Sequence, residues 1–425
     1  MLFFYFYYYL YFMNILLLHQ YYLEDNGSGG SRWNEFTKSW NQNKDLNITV
    51  LSGVINYTDT KIPKEYKNKL FVKKKQNDID IYRCFVYEGY NSNFFGRLIG
   101  YFSFVISSLI VGLFYIDKKK YDVIIVSSPP LFIGITGYLL SFFKKIPFVF
   151  EIRDLWPESA VDTGVVKNKF IIYLSYKLEA FLYKKATLIN VLTPAFKKSL
   201  VEQKNVNPDK IIYIPNASDF SLSDKYADFN CDSLKEQFGL SNKFIVSYVG
   251  AHGVANKLEQ ILETANYLKD KNTAIHFLLI GQGMKKDALI AYSQKLHLTN
   301  VTFIDPVPKE EIFKYILMSD VCTSVLKKCD TFKTVYSNKT FDYMSCKKPI
   351  LMAIDGVSRE LIEEAQCGIF VEPENHLDFA EKVLLYYNNK ELMFEHGRNG
   401  YIFAKTNFDR IKLADKYITE INAIL

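Results

Sequence analysis

Short, unbroken apolar runs alternate with amphipathic stretches along most of this chain. The first run is Asn14-Ile15-Leu16-Leu17-Leu18-His19, and an uninterrupted run of that kind suits a strand buried on both faces of a parallel sheet. It leads into Gly27-Ser28-Gly29-Gly30-Ser31-Arg32, after which a helical pattern opens. Further runs at 48–51, 81–86, 121–126, 147–150 and 190–193 repeat the plan, and 211–216 closes it. A polar stretch rich in Ser, Asp and Asn, 217–243, reads as a linker at the domain boundary. Beyond it the rhythm restarts, with apolar runs at 244–249, 275–280, 301–303, 321–325 and 350–354 separated by helical stretches. Strand and helix alternating twice over predict two doubly wound α/β domains with a ligand between them. Their expected limits are 13–215 and 216–405, and a last helix in 406–425 is expected to return to the first domain.

Length agrees, because 425 residues exceed one compact core and hydrophobic content of 49% is enough for two. Net charge is +6, with lysines clustered at 73–75, 118–120 and 347–348. That fits an anionic membrane or a phosphate-rich ligand and falls short of a nucleic-acid footprint. The six cysteines lack the paired spacing of a zinc site or a redox dithiol, so reduced thiols in a cytoplasmic enzyme are expected.

Two stretches bear on membranes. Residues 1–12 are almost wholly aromatic and too short to cross a bilayer; they read as an extension upstream of a natural start at Met13, or as an interfacial anchor. Residues 94–116 are nearly uncharged and end at Lys118-Lys119-Lys120. A true span would strand the run at 121–126 on the far side of the membrane from its sheet. Two readings remain: an interfacial helix with its lysines at lipid phosphate, or a buried crossover helix.

Candidate chemistry concentrates in three places. Ser337-Asn338-Lys339-Thr340-Phe341-Asp342-Tyr343-Met344 reads as a helix capped by Ser337 or Asn338, whose open N–H groups and Lys339 suit phosphate. Asp342, one turn on, could accept hydrogen bonds from ribose hydroxyls, although Lys339 and Asp342 could equally form an i,i+3 ion pair. Glu151-Ile152-Arg153-Asp154-Leu155-Trp156-Pro157-Glu158-Ser159 stands just beyond a strand's carboxyl end, where reactive groups belong in such sheets. The glycine loop at 27–32 can approach an anion or a sugar closely, but it lacks the third glycine of a dinucleotide fingerprint, which disfavours a dehydrogenase. Asp78-Ile79-Asp80 has a metal-holding spelling inside a charged run expected to be surface loop; no metal is expected there.

On the Arg-Asp-Leu-Trp-Pro-Glu-Ser string at 153–159, Gly29-Gly30, Tyr248-Val249-Gly250, Leu279-Ile280-Gly281-Gln282-Gly283 and the 337–344 stretch, the chain resembles retaining glycosyltransferases of family 4. Within them it resembles the bacterial O-antigen and capsule enzymes typified by fucosamine transferases. The resemblance implies a GT-B fold, two Rossmann-like domains about a cleft, and transfer from a nucleoside-diphosphate sugar, UDP-linked, to a polyprenyl diphosphate-linked saccharide at the cytoplasmic face of the membrane. It implies no metal or other cofactor. Asp342 then matches the ribose-binding acid, Lys339 faces the diphosphate, and Gly29-Gly30 meet donor phosphate or acceptor. Gly250, His252, Gly281, Gly283, Ser337 and Asn338 complete the donor side, while Asp154, with Arg153, stands where relatives carry an active-site His or Asp. The chain departs from the pattern at Thr334, eight residues before Asp342, where a second acid is usual. His252 and Asn256 stand near where an Arg and a Lys commonly grip the diphosphate, leaving Lys339 and Lys327 for that charge. A sugar-nucleotide 2-epimerase of the same fold, or a non-catalytic nucleotide-binding scaffold, are the rival expectations.

Overall fold

A computed structural model of the chain describes residues 12–24, 32–55, 61–91, 94–116, 120–162 and 166–425. Its first sheet comprises β1 (Met13–Leu18), β2 (Leu46–Gly53), β3 (Phe71–Gln76), β4 (Ile79–Cys84), β5 (Val123–Ser128), β6 (Phe148–Ile152), β7 (Leu188–Val191) and β8 (Ile211–Tyr213). Spatial order is β3-β4-β2-β1-β5-β6-β7-β8, parallel throughout except for the β3–β4 pair. The second sheet, β9 (Phe244–Val249), β10 (Ile275–Ile280), β11 (Val301–Ile304), β12 (Val321–Val325), β13 (Ile350–Ala353) and β14 (Gly368–Phe370), is wholly parallel in the order β11-β10-β9-β12-β13-β14.

Helices that carry the argument are α1 (Arg32–Trp40), α2 (Phe94–Phe114), α3 (Ile133–Lys144), α4 (Lys169–Lys185), α5 (Asn338–Ser345) and α6 (Arg410–Asn422). Side chains of β1 alternate between the faces of the sheet as strand geometry requires. Ile15 and Leu17 pack with Trp33, Phe36 and Trp40 of α1 and Leu413, Tyr417 and Ile421 of α6. Leu16 and Leu18 pack instead with Phe104 and Val111 of α2, Leu140 of α3 and Leu182 of α4. The final helix therefore lies on the first sheet, tied by a bond from Trp40 Nε1 to the Ala414 carbonyl (2.9 Å).

Two expectations change. Residues 71–76 form a strand where surface loop was expected: Lys73 meets Asp80 (3.3 Å), Lys75 meets Asp78 (3.0 Å), and Asn77 and Asp78 turn the hairpin at φ 48° and 62°. Those left-handed values fit a tight hairpin turn, and the lysines keep an edge strand from pairing further. The polar segment 217–243 is no open linker either, since Phe220 and Leu240 are buried in the second domain's core.

α2 packs as the crossover helix of the sheet and leaves an apolar face exposed. It is long and apolar enough to cross a bilayer by length and composition. Its inner face is nevertheless crossover packing, with Phe104, Ser108 and Val111 buried, and β2 before it and β5 after it belong to one sheet.

The chain passes between the domains twice, at 214–218 and 408–410, and the two passages are bonded side by side. Ser218 donates its N–H to the Phe408 carbonyl and accepts from Arg410 N–H, both at 3.1 Å. Arg32 bonds the Ile214 carbonyl (2.8 Å) and the Pro215 carbonyl; Arg410 bonds the Ala217 carbonyl and pairs with Glu35.

Candidate active site

β9 and β10 end in glycines because their loops stack edge to edge. At Gly281, φ is +145° and an added Cβ would lie 1.9 Å from the Gly250 carbonyl oxygen, so no side chain fits. Gly250 N–H bonds the Ile280 carbonyl and His252 N–H the Gln282 carbonyl, both at 2.9 Å. These loops form a shelf of backbone at the strand ends.

The amino end of α5 adjoins the shelf. Ser337 holds the N-cap position, but its side chain makes no capping bond; its hydroxyl turns to Ser324 Oγ (3.2 Å). Asn338 accepts from Asn216 Nδ2 through Oδ1 (2.6 Å). Thr340 N–H bonds the Ser337 carbonyl (3.0 Å), while the Asn338 and Lys339 N–H groups have no acceptor among the described residues, which is the condition for anion binding at a helix start. Lys339 extends beside Gly250, its ammonium 4.7 Å from the centre of the Tyr248 ring. Among the described residues no carboxylate pairs with it, and burial brings its pKa down to about 8.

Asp342 turns elsewhere. It pairs with Lys309 (2.5 Å) and lies 3.5 Å from Ser218 Oγ, so the i,i+3 pair with Lys339 does not form. Lys309 follows Pro308 at the head of a helical run, and nothing in the sequence marked it as the partner of Asp342.

On the facing domain, Asp154 follows the carboxyl end of β6. Ser159 Oγ donates to it (2.7 Å), yet burial outweighs that bond and pushes its carboxyl up to about 6. The Arg153 guanidinium pKa is lowered, chiefly by burial; Glu151 opposes that shift and Arg32 adds to it. A cavity of about 210 Å³ brings Arg153, Asp154 and Thr193 together with Asn216, Tyr336 and Asn338 of the crossing and the second domain. The lobes also touch through Thr193 Oγ1 to the Thr334 carbonyl (2.8 Å).

Not every expected residue faces this cleft. Gly29 and Gly30 lie outside the described residues. His252 is a correction: its ring is fully buried, with neighbouring rings at Tyr248 and Phe303, both nitrogens lack hydrogen-bond partners among the described residues, and its pKa is down at about 4 through burial and then the Lys286 charge. The ring packs the interior behind the shelf, and only its backbone serves the loops. Gly283 sits beneath the same loop, where a Cβ would lie 2.5 Å from the His252 carbonyl oxygen. Glu151, first of the charged cluster, also faces inward, accepting from Arg32 Nη2 (3.0 Å), Asn190 (2.9 Å) and Ser127 (3.2 Å).

Two family models match consecutive parts of the chain: "Glycosyl transferase 4-like domain" over residues 76–217 and "Glycosyl transferases group 1" over 231–403. The chain is a glycosyltransferase with the GT-B fold. This glycosyltransferase is 23% identical over 356 residues to the putative colanic acid biosynthesis glycosyl transferase WcaI of Escherichia coli K12, covering 82% of this chain and 85% of WcaI. It is also 23% identical over 255 residues to N-acetylgalactosamine-N,N'-diacetylbacillosaminyl-diphospho-undecaprenol 4-alpha-N-acetylgalactosaminyltransferase of Campylobacter jejuni, covering 59% of this chain and 64% of that one. Anabaena Alr3699/HepE, solved with UDP, superposes with a TM-score of 0.71 at 16% identity, over 97% of this chain and 100% of its own. Thr334, where the resemblance implies a second acid, contributes its backbone carbonyl to the contact with Thr193.

Proposed function

We propose that this glycosyltransferase moves a sugar from a UDP-sugar to a polyprenyl diphosphate-linked saccharide with retention of anomeric configuration, in bacterial surface polysaccharide assembly of the O-antigen or capsule kind. One observation carries the reading: a desolvated lysine, with no carboxylate partner among the described residues, at a helix start whose N-cap side chain makes no capping bond, beside a cavity whose opposite wall holds Asp154. Relatives support it, since HepE was solved with UDP and the Campylobacter relative is named for a diphospho-undecaprenol acceptor.

Departure of a nucleoside diphosphate concentrates negative charge on the leaving phosphate. First-turn N–H groups of α5 and Lys339 stabilise that charge in a site where burial strengthens it. Asp342 accepts the ribose hydroxyls and exchanges Lys309 for them. The bond from the anomeric carbon to the phosphate oxygen breaks, the acceptor oxygen bonds the same face of that carbon, and the departing phosphate oxygen takes the acceptor proton. Asp154, ionised above about pH 6, orients the acceptor and offsets the positive charge developing on the sugar ring. Arg153 holds the acceptor side of the cavity, and the protein works peripherally at the cytoplasmic face of the membrane.

The test incubates the full chain with a panel of UDP-sugars and a polyprenyl diphosphate-linked saccharide, with Asp342→Ala as control. Glycosylated lipid above the control is expected. An epimerised free sugar made from donor alone would replace the reading by an epimerase, and nucleotide binding without turnover on any acceptor by a scaffold.

A further inference from the structure

The outer faces of α2, α3 and α4 present an apolar surface that the catalytic reading does not use. On α2, Ile99 and Ile106 recur at helical spacing on the side away from the sheet, and Ile106 is 58% exposed. On α3, Phe142 is 64% exposed; on α4, Phe170 is 67% exposed, with Tyr173 and Leu174 beside it. The helices adjoin one another: Phe102 meets Phe132 just before α3 (4.9 Å between centroids), and Tyr138 of α3 meets Phe181 of α4 (4.9 Å). Isolated exposed apolar residues need no explanation, but a run across neighbouring helices does.

Charge selects the occupant. The only carboxylate in the three helices is Glu179, which is buried against Lys204 at 2.6 Å. Lys145, Lys169, Lys177, Lys184 and Lys185 are exposed at their ends and flanks. Apolar side chains flanked by lysines, with no exposed carboxylate within the three helices, match an anionic lipid surface, and two copies of such a face would repel.

We propose that the α2–α3–α4 face docks on an anionic bilayer, its aromatic and aliphatic side chains at headgroup depth and its lysines at lipid phosphate. Of these three helices, the sequence had pointed only to α2. The face leads to the cleft: Phe132 contacts Trp156 (5.5 Å), and Asp154 stands two residues before Trp156. Docking therefore turns the cavity mouth towards the headgroups, where a lipid-borne acceptor arrives; this last step rests on the proposed function, whereas docking itself does not.

The experiment is co-sedimentation of the full chain with vesicles of equal parts phosphatidylglycerol and phosphatidylcholine, against phosphatidylcholine alone. Binding to the anionic vesicles, weakened by salt, is expected. Ile106→Ser with Phe142→Ser and Phe170→Ser should weaken it about tenfold or more, and Lys145→Glu or Lys177→Glu about fivefold each. A matched set on the second domain, Leu385→Ser with Phe394→Ser and Ile402→Ser, should leave it unchanged. Equal binding by the first-domain triple variant, equal binding to neutral vesicles, or self-association without lipid that the triple variant abolishes would each overturn docking. A thermal shift with UDP-sugars keeps the two ideas separable: its absence sinks the functional reading and leaves vesicle binding standing. If both hold, the triple variant keeps turnover on a water-soluble acceptor and loses it on a vesicle-borne one.

Discussion

Replacing Asp154 by Asn should make the protein more stable and less active, and the stability gain should depend on pH. The carboxyl ordinarily titrates at 3.8 and is raised to about 6 by burial, with Ser159 opposing. Well below about pH 4 it is protonated folded and unfolded alike, and its ionisation costs the native state nothing. As pH rises through about 4 the unfolded chain gains a hydrated carboxylate, while the folded one stays protonated until about pH 6 and above that holds a desolvated charge. About two units of difference correspond to at most ~3 kcal/mol, and contact with an open cavity reduces that towards ~1–2 kcal/mol. Asn keeps the acceptor for Ser159 and removes the charge. The gap in unfolding midpoint between Asp154→Asn and the parent, followed by circular dichroism in urea, should therefore grow between about pH 4 and pH 6 and level off above. Turnover should fall by about a hundredfold or more with nucleotide affinity unchanged, as expected of a group used only in the transition state. A gap equal at about pH 4 and pH 8, or a variant weaker than the parent at the higher pH, would refute the placement of Asp154 in a desolvated wall.

Three further outcomes follow from the donor side. UDP affinity should fall as pH rises through about 8, because Lys339 loses its proton there in the free protein and binding a diphosphate favours the charged form; calorimetry should show Lys339→Met with a flat profile. Asp342→Ala should weaken nucleotide binding by about ten- to a hundredfold, in the range of lost charge-assisted hydrogen bonds, while unfolding shifts by under ~1 kcal/mol because its partner Lys309 remains partly exposed. Gly281→Ala should lower stability by about 2 kcal/mol or more and abolish the UDP-induced thermal shift, because its Cβ meets backbone, which cannot rotate away.

Strands buried on both faces were legible because their sequence is itself continuous and apolar: 244–249, 275–280 and 321–325 coincide with β9, β10 and β12. β3 escaped because its lysines serve an exposed edge, which reads as loop. The two glycine turns were legible as turns, yet the orientation of His252 was not, since a polar residue in a ligand loop looks the same whether its ring faces the ligand or the interior. Nor could local pattern reveal that Asp342 answers to Lys309, 33 residues away, or that Glu151 braces the crossing through Arg32. Such pairings arise from the way sheets bring distant loops to one edge. The crossover reading of α2 holds for the face it turns to the sheet, while its other face is left to solvent.

The paired passages at 214–218 and 408–410 constrain how the molecule can breathe. A single tether would let the lobes swivel; two bonded side by side leave a book-like bend about the line joining them as the soft motion. Asn216 stands in the outgoing passage and holds Asn338, so the start of α5 sits near the spine and keeps its spacing from Asp154 while the outer rim travels. A ligand entering at the rim would meet a mouth that widens along one arc, with Asn338 and Asp154 on the cavity nearest its axis.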